Sequence, residues 1–241
     1  YTDQVVPMCK GSRKIIRSWR VVDWCTSEYR DGVQFIELID DVKPTITCPS
    51  NVTISTDNSS CYGTLSVPTP NVSDNCSGEW KLSFVAPTGR VILNEIVTDL
   101  RVGSHTITWT AIDPCENTNT CSFTVVVRDQ VAPIPVCDDN LVVTLDKVNG
   151  EAKIFARSFD EGSTDNCGIL SYKVRRLGGC IGASALADSV RFVCCDVASG
   201  VMVELVVTDS SGNFNACMSS VTVQDKLAPT IVCPTSISIG C

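Results

Sequence analysis

Apolar and polar residues alternate in short segments along the whole chain. Phe123, Val125 and Val127 occupy every second position of one segment, and residues 141–145 repeat the pattern. A period of two places alternate side chains on opposite faces of a β-strand. The segments are rich in Val, Ile and Thr, and clusters of Asp, Asn, Gly, Ser and Pro separate them. Short strands divided by such turn residues are typical of an all-β fold, which the sequence therefore predicts.

One landmark, an Asp followed by Pro, an apolar pair and Cys, occurs three times in the chain. It ends at Cys48, Cys137 and Cys233, so its spacings are 137 − 48 = 89 and 233 − 137 = 96 residues. An immunoglobulin-type (Ig-type) β-sandwich has about 100 residues. The spacing therefore predicts tandem Ig-like β-sandwich repeats.

Two further landmarks keep their places within each repeat. A predicted strand ends at a turn that begins with Asp113 in one repeat and with Asp209 in the next. Each turn lies 129 − 113 = 225 − 209 = 16 residues before the next boundary Asp. The run Asp-Asn-Cys occurs at residues 74–76 and again at residues 165–167. Agreement at independent landmarks supports a true repeat.

The landmarks divide the chain into four segments. We expect residues 1–41 to be the C-terminal part of an Ig-like unit, and residues 42–129 and 130–225 to be two complete sandwiches. Residues 226–241 are expected to begin a further unit. The chain is thus interpreted as a window from a longer polypeptide.

Composition indicates the compartment and excludes several classes of function. The chain has 15 Cys and no Cys-x-x-Cys pair, so zinc-ribbon and thioredoxin-like sites have no support. Disulfide bonding is the remaining use of so many thiols, and it requires an oxidising, extracellular or cell-surface location. A net charge of −8 argues against a nucleic-acid partner. No apolar run reaches the roughly 18 residues of a membrane helix.

Together these landmarks resemble the HYR (hyalin repeat) module. That pattern runs Asp…Pro-x-Ile-x-Cys-Pro, Asp-Asn-Cys-Gly, Ala-x-Asp-x-x-Gly-Asn and Cys-x-Phe-x-Val-x-Val-x-Asp. Residues 41–129 carry nearly all of it, with Glu116 at the place of the turn glycine, and residues 130–225 carry a variant. Some segments are similar to repeats in very large secreted proteins of Bacteroidota-type bacteria. The resemblance implies disulfide-stapled Ig-like sandwiches, a surface location, and a role in adhesion or fibre building.

We expect most cysteines to be disulfide-bonded. In a sandwich of this type the first strand starts near the start of the last strand, so Cys48 would meet Cys121 and Cys137 would meet Cys217. The simplest members of the HYR family carry only this pair of cysteines. The other expected pairs are Cys76 with Cys115, Cys9 with Cys25, and Cys194 and Cys195 with Cys180 and Cys167 as candidate partners.

An alternative connectivity joins Cys48 to Cys61 and Cys76 to Cys121, and spacing alone does not decide between them. Under the first set of pairs Cys61 is left over. It is then expected to bond a neighbouring unit or subunit, or to stay free.

Calcium is the one cofactor for which the sequence offers ligands, because carboxylate and amide oxygens bind hard cations. Oxygens of this kind are also offered by the boundary residues Asp40, Asp41, Asp129 and Asp225, and by Asp138, Asp139 and Glu161. The competing interpretation is that these side chains only cap turns. The loop from residue 160 to residue 165 is the best single candidate. The predicted calcium ligands are Asp160, Asp165, Asn166, Asp74 and Asn75.

The sequence gives no support for catalysis. His105 is the only histidine, and no Gly-x-Ser-x-Gly elbow accompanies it, so no hydrolase triad and no catalytic residue is predicted.

Glycosylation has three candidate residues. Asn51 and Asn71 match the N-glycosylation sequon, and Ser189 lies in an Asp-Ser-Val run that resembles the O-glycosylation motif of Bacteroidota.

The first functional hypothesis is an extracellular structural protein that forms a stiff rod or filament with other copies of itself. Linkers between the predicted units are nearly absent, and such junctions restrict hinge motion. A second hypothesis is an adhesin that binds surface glycans or proteins through the exposed aromatic side chains of Trp24, Tyr29, Trp80 and Tyr172. A third is a stalk for a catalytic domain outside this window.

Overall fold

Strands make up nearly all of the regular structure. The computed structural model describes residues 1–86, 90–92, 95–197, 199–234 and 236–239. The chain forms two compact units: Tyr1–Asp57 with Cys61–Arg128, and Asn58–Ser60 with Asp129–Cys241. The prediction of an all-β, disulfide-bonded fold is confirmed. Within the described residues, no helix has the length and apolar character that a membrane crossing requires.

The first unit begins with a three-stranded antiparallel sheet. Its strands are β1 (Thr2–Pro7), β2 (Arg13–Val22) and β3 (Tyr29–Leu38), in the order β1-β2-β3. Most side chains of this sheet are exposed, and Trp19 on β2 is 40% exposed. The sequence places Trp19 at a core position by analogy with Trp109. That prediction is wrong because this face of the sheet is open to solvent.

The rest of the first unit is a β-sandwich. A four-stranded sheet has the order β5-β12-β11-β8, a three-stranded sheet has the order β6-β10-β9, and β4 pairs with β7. Strand β5 runs parallel to β12, and the other pairs are antiparallel. The strands are β4 (Thr45–Thr47), β5 (Val52–Ser55), β6 (Tyr62–Ser66), β7 (Asn71–Ser73), β8 (Lys81–Val85), β9 (Arg90–Ile92), β10 (Ile96–Arg101), β11 (Gly103–Ile112) and β12 (Thr118–Arg128).

Alternate residues of these strands form the core between the two sheets. Trp109 and Phe123 from the four-stranded sheet belong to the same buried cluster as Leu65 and Leu100 from the three-stranded sheet. The ring of Phe84 lies 4.9 Å from the ring of Trp109, centroid to centroid. The period-two alternation of β11 and β12 thus buries one face of each strand, as the sequence predicts.

The second unit repeats the four-stranded arrangement. Its larger sheet has the order β13-β18-β17-β15, with β13 parallel to β18, and β14 pairs with β16. The core includes Phe159, Phe192 and Leu205, each 0% exposed. The strands are β13 (Asn140–Thr144), β14 (Glu151–Phe155), β15 (Ile169–Arg176), β16 (Ser189–Val193), β17 (Val201–Asp209) and β18 (Phe214–Gln224).

A buried ion pair joins β15 to the 3₁₀ turn Cys194–Asp196 in the second unit. The guanidinium of Arg176 donates two hydrogen bonds to the carboxylate of Asp196, at 2.8 and 2.6 Å. The two side chains are 1% and 0% exposed. Asp196 also accepts the backbone N–H of Cys180 and of Val193, each at 3.1 Å. The pair is therefore well supplied with hydrogen bonds, which a buried charge requires.

The disulfides of the two sandwiches link the first strand region to the last strand. Cys48 bonds Cys121, and Cys137 bonds Cys217, as in the first of the two connectivities considered. Cys180 bonds Cys195, and the neighbouring Cys194 is free, with its thiol 3.4 Å from the carbonyl of residue 150. The expectation that both adjacent cysteines are bonded is therefore wrong for Cys194, because its side chain points away toward that carbonyl.

The expected pairs Cys9–Cys25 and Cys76–Cys115 are also wrong. Cys9 bonds Cys115, with Cα atoms 5.1 Å apart, and Cys25 and Cys76 are free thiols in the described structure. Cys9 and Cys25 lie beyond opposite ends of β2, which has 10 residues, and a strand of that length spans about 33 Å. A disulfide needs Cα atoms within about 7 Å.

Cys61 is disulfide-bonded, and so is Cys167. Of the two outcomes expected for Cys61, that it bonds a neighbouring unit or subunit or that it stays free, the free thiol is therefore wrong. Because Cys9 takes Cys115, the thiol that remains free in this sandwich is Cys76.

Candidate functional site

Three carboxylates from three distant motifs meet in the first unit. Asp40 follows β3, Asp74 follows β7 and Asp113 follows β11. One carboxylate oxygen from each lies within 4.8 Å of the other two. Asp40 is 5% exposed, Asp113 is 4% exposed, and Asp74 is half-buried. We call these three residues the first carboxylate cluster.

The turn between β11 and β12 orients Asp113. Its Oδ1 accepts the backbone N–H groups of Cys115 and Asn117, at 2.8 and 2.9 Å. Its Oδ2 accepts the side-chain amide of Asn117 at 2.9 Å. Residue Glu116 in this turn has a positive φ of 68°, a conformation that favours glycine. The turn therefore fixes the direction of the Asp113 carboxylate.

Asp40 is held by its backbone. Its N–H donates to Ser12 Oγ at 2.8 Å, and its carbonyl accepts the side-chain amide of Asn117 at 3.0 Å. Its Oδ1 accepts the N–H of Val42 at 3.3 Å. Its Oδ2 is buried and has no hydrogen-bond partner among the described residues. One oxygen of this buried carboxylate is therefore left unsatisfied.

Asp74 shows the same division between its two oxygens. Its Oδ1 accepts the backbone N–H groups of Ser77 and Cys76, at 2.7 and 3.0 Å. The hydrogen bond from Ser77, and more weakly that from Cys76, lowers the pKa of Asp74, although desolvation opposes them. Its Oδ2 is buried and unbonded within the described structure. Asp74 is therefore ionised at neutral pH, with one oxygen unsatisfied.

The free thiol of Cys76 borders the first carboxylate cluster. Desolvation raises its pKa most, and the negative charges of Asp40, Asp74 and Asp113, together with a side-chain hydrogen bond to Asp40, raise it further. At neutral pH the thiol is therefore protonated and adds no charge to the cluster. The β1–β2 turn packs against this residue, because a Cβ on Gly11 would lie 2.9 Å from the carbonyl oxygen of Cys76.

The second unit contains an equivalent group of residues. One carboxylate oxygen from each of Asp129, Asp165 and Asp209 lies within 4.8 Å of the others. Asp129 is 6% exposed, Asp209 is 0% exposed, and Asp165 is half-buried. These three residues, the second carboxylate cluster, occupy the same three motif positions as those of the first.

The hydrogen bonds of the second carboxylate cluster match those of the first. Asp209 Oδ1 accepts the backbone N–H groups of Ser211 and Asn213, both at 2.8 Å, and its Oδ2 accepts the amide of Asn213 at 2.8 Å. The same amide donates to the carbonyls of Asp129 and Val131, at 3.2 and 3.3 Å. The Asp-x-x-x-Asn turn thus anchors the boundary segment in both units.

Asp165 repeats the pattern of Asp74. Its Oδ2 accepts the backbone N–H groups of Cys167 and Gly168, both at 2.8 Å. Its Oδ1 is buried, with no hydrogen-bond partner in the part of the chain that the structure describes.

The predicted calcium ligands divide between these clusters and other places. Asp74 and Asp165 lie in the clusters, but the loop favoured by the sequence contributes only Asp165. Asp160 instead accepts the N–H of Ser163 at 2.9 Å, as a turn cap. Asn75 is exposed, with its amide 3.4 Å from a thiol, and Asn166 donates to the carbonyl of residue 60 at 3.3 Å.

The sequence interpretation missed Asp113 and Asp209 as members of a shared site. Both were explained as turn residues, which is correct but incomplete. The signal that would have found them is the same Asp-x-x-x-Asn turn in both units, together with a boundary Asp and an Asp-Asn-Cys run at matching distances.

The family model of the HYR domain matches residues 39–127. We refer to this matched segment as the HYR domain. The whole first carboxylate cluster lies inside this HYR domain, and one of its members is the second residue of the match. HYR domains are extracellular and typically non-catalytic, which agrees with the abundance of disulfides. The chain therefore includes an extracellular domain of the adhesion type.

Several solved structures are similar to the chain. The IG1 and IG2 domains of DIP-gamma share 13% identity at a TM-score of 0.39, covering 76% of this chain and 99% of that one. An I-band fragment of titin shares 9% identity at a TM-score of 0.44, and the match covers 93% of this chain and 82% of that one. Cadherin domains 1–4 of protocadherin gamma B7 share 15% at 0.40, covering 89% of this chain and 58% of that one.

The aromatic residues proposed as adhesin anchors lie on three separate parts of the fold. Trp24, in the β2–β3 turn, is 93% exposed, and Tyr29, the first residue of β3, is 60% exposed. Trp80 lies in the HYR domain, where it lines a cleft with Glu79. Tyr172 is half-buried against the core of the second unit, with the Arg157 guanidinium 5.5 Å from its ring.

The glycosylation candidates remain predictions. Asn51 and Asn71 are exposed residues of the HYR domain. The side-chain carbonyl of Asn51 accepts the backbone N–H of Thr124 at 2.8 Å. Ser189 is half-buried at the first position of β16.

Proposed function

We propose that this chain belongs to an extracellular structural repeat protein that forms a stiff rod or filament with other copies of itself, on or outside the cell surface. The observation that carries the proposal is the junction between the first sheet and the HYR domain. The disulfide between Cys9 and Cys115 crosses this junction and links residues 106 positions apart. A covalent bond beside the connecting segment restricts bending there.

Non-covalent contacts reinforce the same junction. Only residues 39–44 lie between β3 and β4. Asp40 in this segment is hydrogen-bonded to Ser12 of the β1–β2 turn and to Asn117 of the HYR domain. Lys10 and Glu79 form an exposed salt bridge across it. A short connection held on both sides has little freedom to act as a hinge.

The disulfides of the two units favour resistance of the chain to mechanical extension. A pull along the chain enters the first unit before Cys9 and leaves it after Cys121. The shortest covalent path between these points crosses the Cys9–Cys115 disulfide, which therefore carries the load. The 106-residue separation bridged by this bond, which includes Cys48, is therefore shielded from extension. In the second unit Cys137 and Cys217 shield a separation of 80 residues in the same way.

Electron microscopy of native material tests the filament. We expect thin fibres with a subunit rise on the scale of the domain length. Dispersed globular particles at every protein concentration tried would contradict the proposal.

The histidine chemistry also supports a non-catalytic role. His105, the one histidine of the sequence, uses Nε2 to bond the backbone carbonyl of Arg101 at 2.6 Å. This contact gives the ring a structural partner at the start of β11.

An adhesin is the second candidate, favoured by the cleft that Trp80 and Pro114 line in the HYR domain. An exposed aromatic ring beside polar side chains is a common anchor for a glycan or a peptide. Loss of signal on a glycan array or in a cell-binding assay after Trp80→Ala, with no loss after Trp24→Ala, would support it.

A further inference from the structure

We propose that each of the two units binds one divalent metal ion, calcium, through its carboxylate cluster. The ligands are Asp40, Asp74 and Asp113 in the first unit. They are Asp129, Asp165 and Asp209 in the second. The proposal goes beyond the structural function and does not depend on filament formation.

The concentration of negative charge is the first argument. Three carboxylates within 4.8 Å of one another repel each other, and burial of two of the three strengthens that repulsion. None of the salt bridges formed by described residues includes a member of the first carboxylate cluster. A cation among the three carboxylates would offset the repulsion.

The unsatisfied oxygens are the second, independent argument. Asp40 is 95% buried (5% exposed), yet its Oδ2 has no hydrogen-bond partner among the described residues. Asp74 Oδ2 and Asp165 Oδ1 are also buried, and they too have no hydrogen-bond partner among the described residues. Buried polar atoms are nearly always hydrogen-bonded, because leaving one unsatisfied is costly. In each carboxylate the opposite oxygen accepts at least one backbone N–H, which leaves this oxygen for an ion.

The thiol of Cys76 does not replace the cation. It is a weak donor, and it borders only the first carboxylate cluster. Its counterpart in the second unit is Cys167, which is disulfide-bonded and has no S–H to donate. The shared feature of the two clusters is therefore the set of carboxylates, and a shared ligand must be one that carboxylates bind.

The ligand chemistry favours calcium among divalent ions. Carboxylate oxygens suit hard cations, whereas zinc sites use His and Cys. Ligand oxygens on opposite sides of Ca²⁺ lie roughly 4.6–5.2 Å apart, since each Ca–O distance is about 2.3–2.6 Å. Oxygens within 4.8 Å of one another are therefore close enough to contact one such ion. Ca²⁺ also accepts irregular geometry, which suits ligands from three separate loops, whereas Mg²⁺ demands a near-ideal octahedron.

Binding would couple the ion to the repeat junction. The ligands of the first cluster are 74 − 40 = 34 and 113 − 74 = 39 residues apart in the sequence. The unfolded chain does not hold them together, so an ion that binds them stabilises the folded state. Asp40 belongs to the segment between β3 and β4, so the ion would also hold this segment against the sandwich.

Calcium binding is tested on the whole 241-residue chain after treatment with EDTA and removal of the chelator. Isothermal titration with CaCl₂ should give two ions per chain and a higher melting temperature. MgCl₂ and ZnCl₂ titrated separately should bind more weakly. Asp40→Asn and Asp129→Asn should each reduce the stoichiometry to one, and the double variant should bind none.

Asp23→Asn is the matched control. Asp23 begins the β2–β3 turn and accepts the N–H of Cys25 at 2.8 Å, much as Asp113 does with Cys115, but it is exposed and lies outside both clusters. This variant should still bind two ions. Asp74→Asn and Asp165→Asn, at half-buried positions, provide the same test if the buried variants fail to fold.

Three results would overturn the proposal: no saturable calcium binding at millimolar concentration, two ions retained by the double variant, or zinc bound more tightly than calcium. Failure of the filament proposal can be distinguished from failure of the calcium proposal. Fibres are scored by microscopy with and without EDTA, whereas calcium binding is measured on dispersed protein.

Discussion

The side-chain amide of Asn117 donates a hydrogen bond of 3.0 Å to the backbone carbonyl of Asp40, 77 residues earlier in the chain. The same amide holds Asp113, so one side chain connects the β11–β12 turn to the segment that begins the sandwich. Asn213 makes the corresponding bonds in the second unit.

Asn117→Ala should lower the free energy of unfolding of the first unit by about 1–3 kcal/mol, because it leaves buried acceptors unsatisfied. Urea denaturation followed by tryptophan fluorescence measures the change through buried Trp109. Asn75→Ala is the control, since Asn75 is exposed. Equal effects of the two substitutions would show that the Asn117 contacts contribute little.

Removal of the Cys9–Cys115 disulfide should destabilise the first unit. The bond closes a separation of 106 residues. A loop of that length corresponds to about 4–5 kcal/mol by chain-entropy estimates, and measured losses are often smaller. The double variant Cys9→Ser with Cys115→Ser is compared with Cys25→Ser, which removes an exposed free thiol. Non-reducing peptide mapping should show the linked peptides in the wild type, and their absence would refute the pairing.

Reduction should lengthen the chain under force. The separation of 106 residues shielded by the Cys9–Cys115 disulfide corresponds to roughly 350–380 Å of extended chain. Single-molecule stretching of the oxidised protein should lack this increment, and addition of a thiol reductant should reveal it. An increment of the same size before reduction would mean that the disulfide does not carry the load.

The buried pair of Arg176 and Asp196 predicts a pH dependence in the second unit. The guanidinium of Arg176 and two backbone N–H groups lower the pKa of Asp196, although desolvation opposes them. Because the folded-state pKa lies below the unfolded value of about 3.9, this stabilisation is present above about pH 4 and is lost as the pH falls through the folded pKa.

Asp196→Asn should cost about 3–5 kcal/mol, since it leaves the Arg176 charge buried without its partner. It should also flatten the acid limb of stability measured by urea titration between pH 2 and pH 7. Asp188→Asn, which breaks a salt bridge whose carboxylate is 77% exposed, should change stability by less than about 1 kcal/mol.

The equivalent turn positions Glu116 and Gly212 give a reciprocal prediction. Both have positive φ, 68° and 90°. Gly212→Ala should destabilise by about 1 kcal/mol from backbone conformation alone, because a Cβ there meets nothing within 4 Å. Glu116→Gly should stabilise its turn by a similar amount. Thermal melting of both variants checks the two signs, and a Gly212→Ala protein as stable as wild type would contradict the argument.

The alternation of apolar residues was sufficient to predict the strands. Burial of one strand face requires an apolar residue at every second position, and this pattern is visible in the local sequence. Trp19 shows where this signal stops. Its position matches that of Trp109, but burial depends on a second sheet, which no local pattern reports.

The carboxylate clusters were only half predictable for a similar reason. An Asp that begins a hairpin turn has a sufficient local explanation, so Asp113 gave no sign that its carboxylate faces Asp40 and Asp74. The disulfide pairing was hard to predict because the cysteines are many, and not because their chemistry is ambiguous. With 15 cysteines many pairings are compatible with spacing, and only the three-dimensional approach of the β1–β2 turn selects Cys9 for Cys115.

Each carboxylate cluster takes its first member from the residues just after the preceding final strand. In the second unit, Asp129 immediately follows Arg128, the last residue of β12. A gene duplication that copied the stretch from Asp40 to Arg128 would therefore carry a complete set of three acidic residues into every new copy. Such an array can gain or lose whole repeats without leaving a site that has only one or two of its three carboxylates.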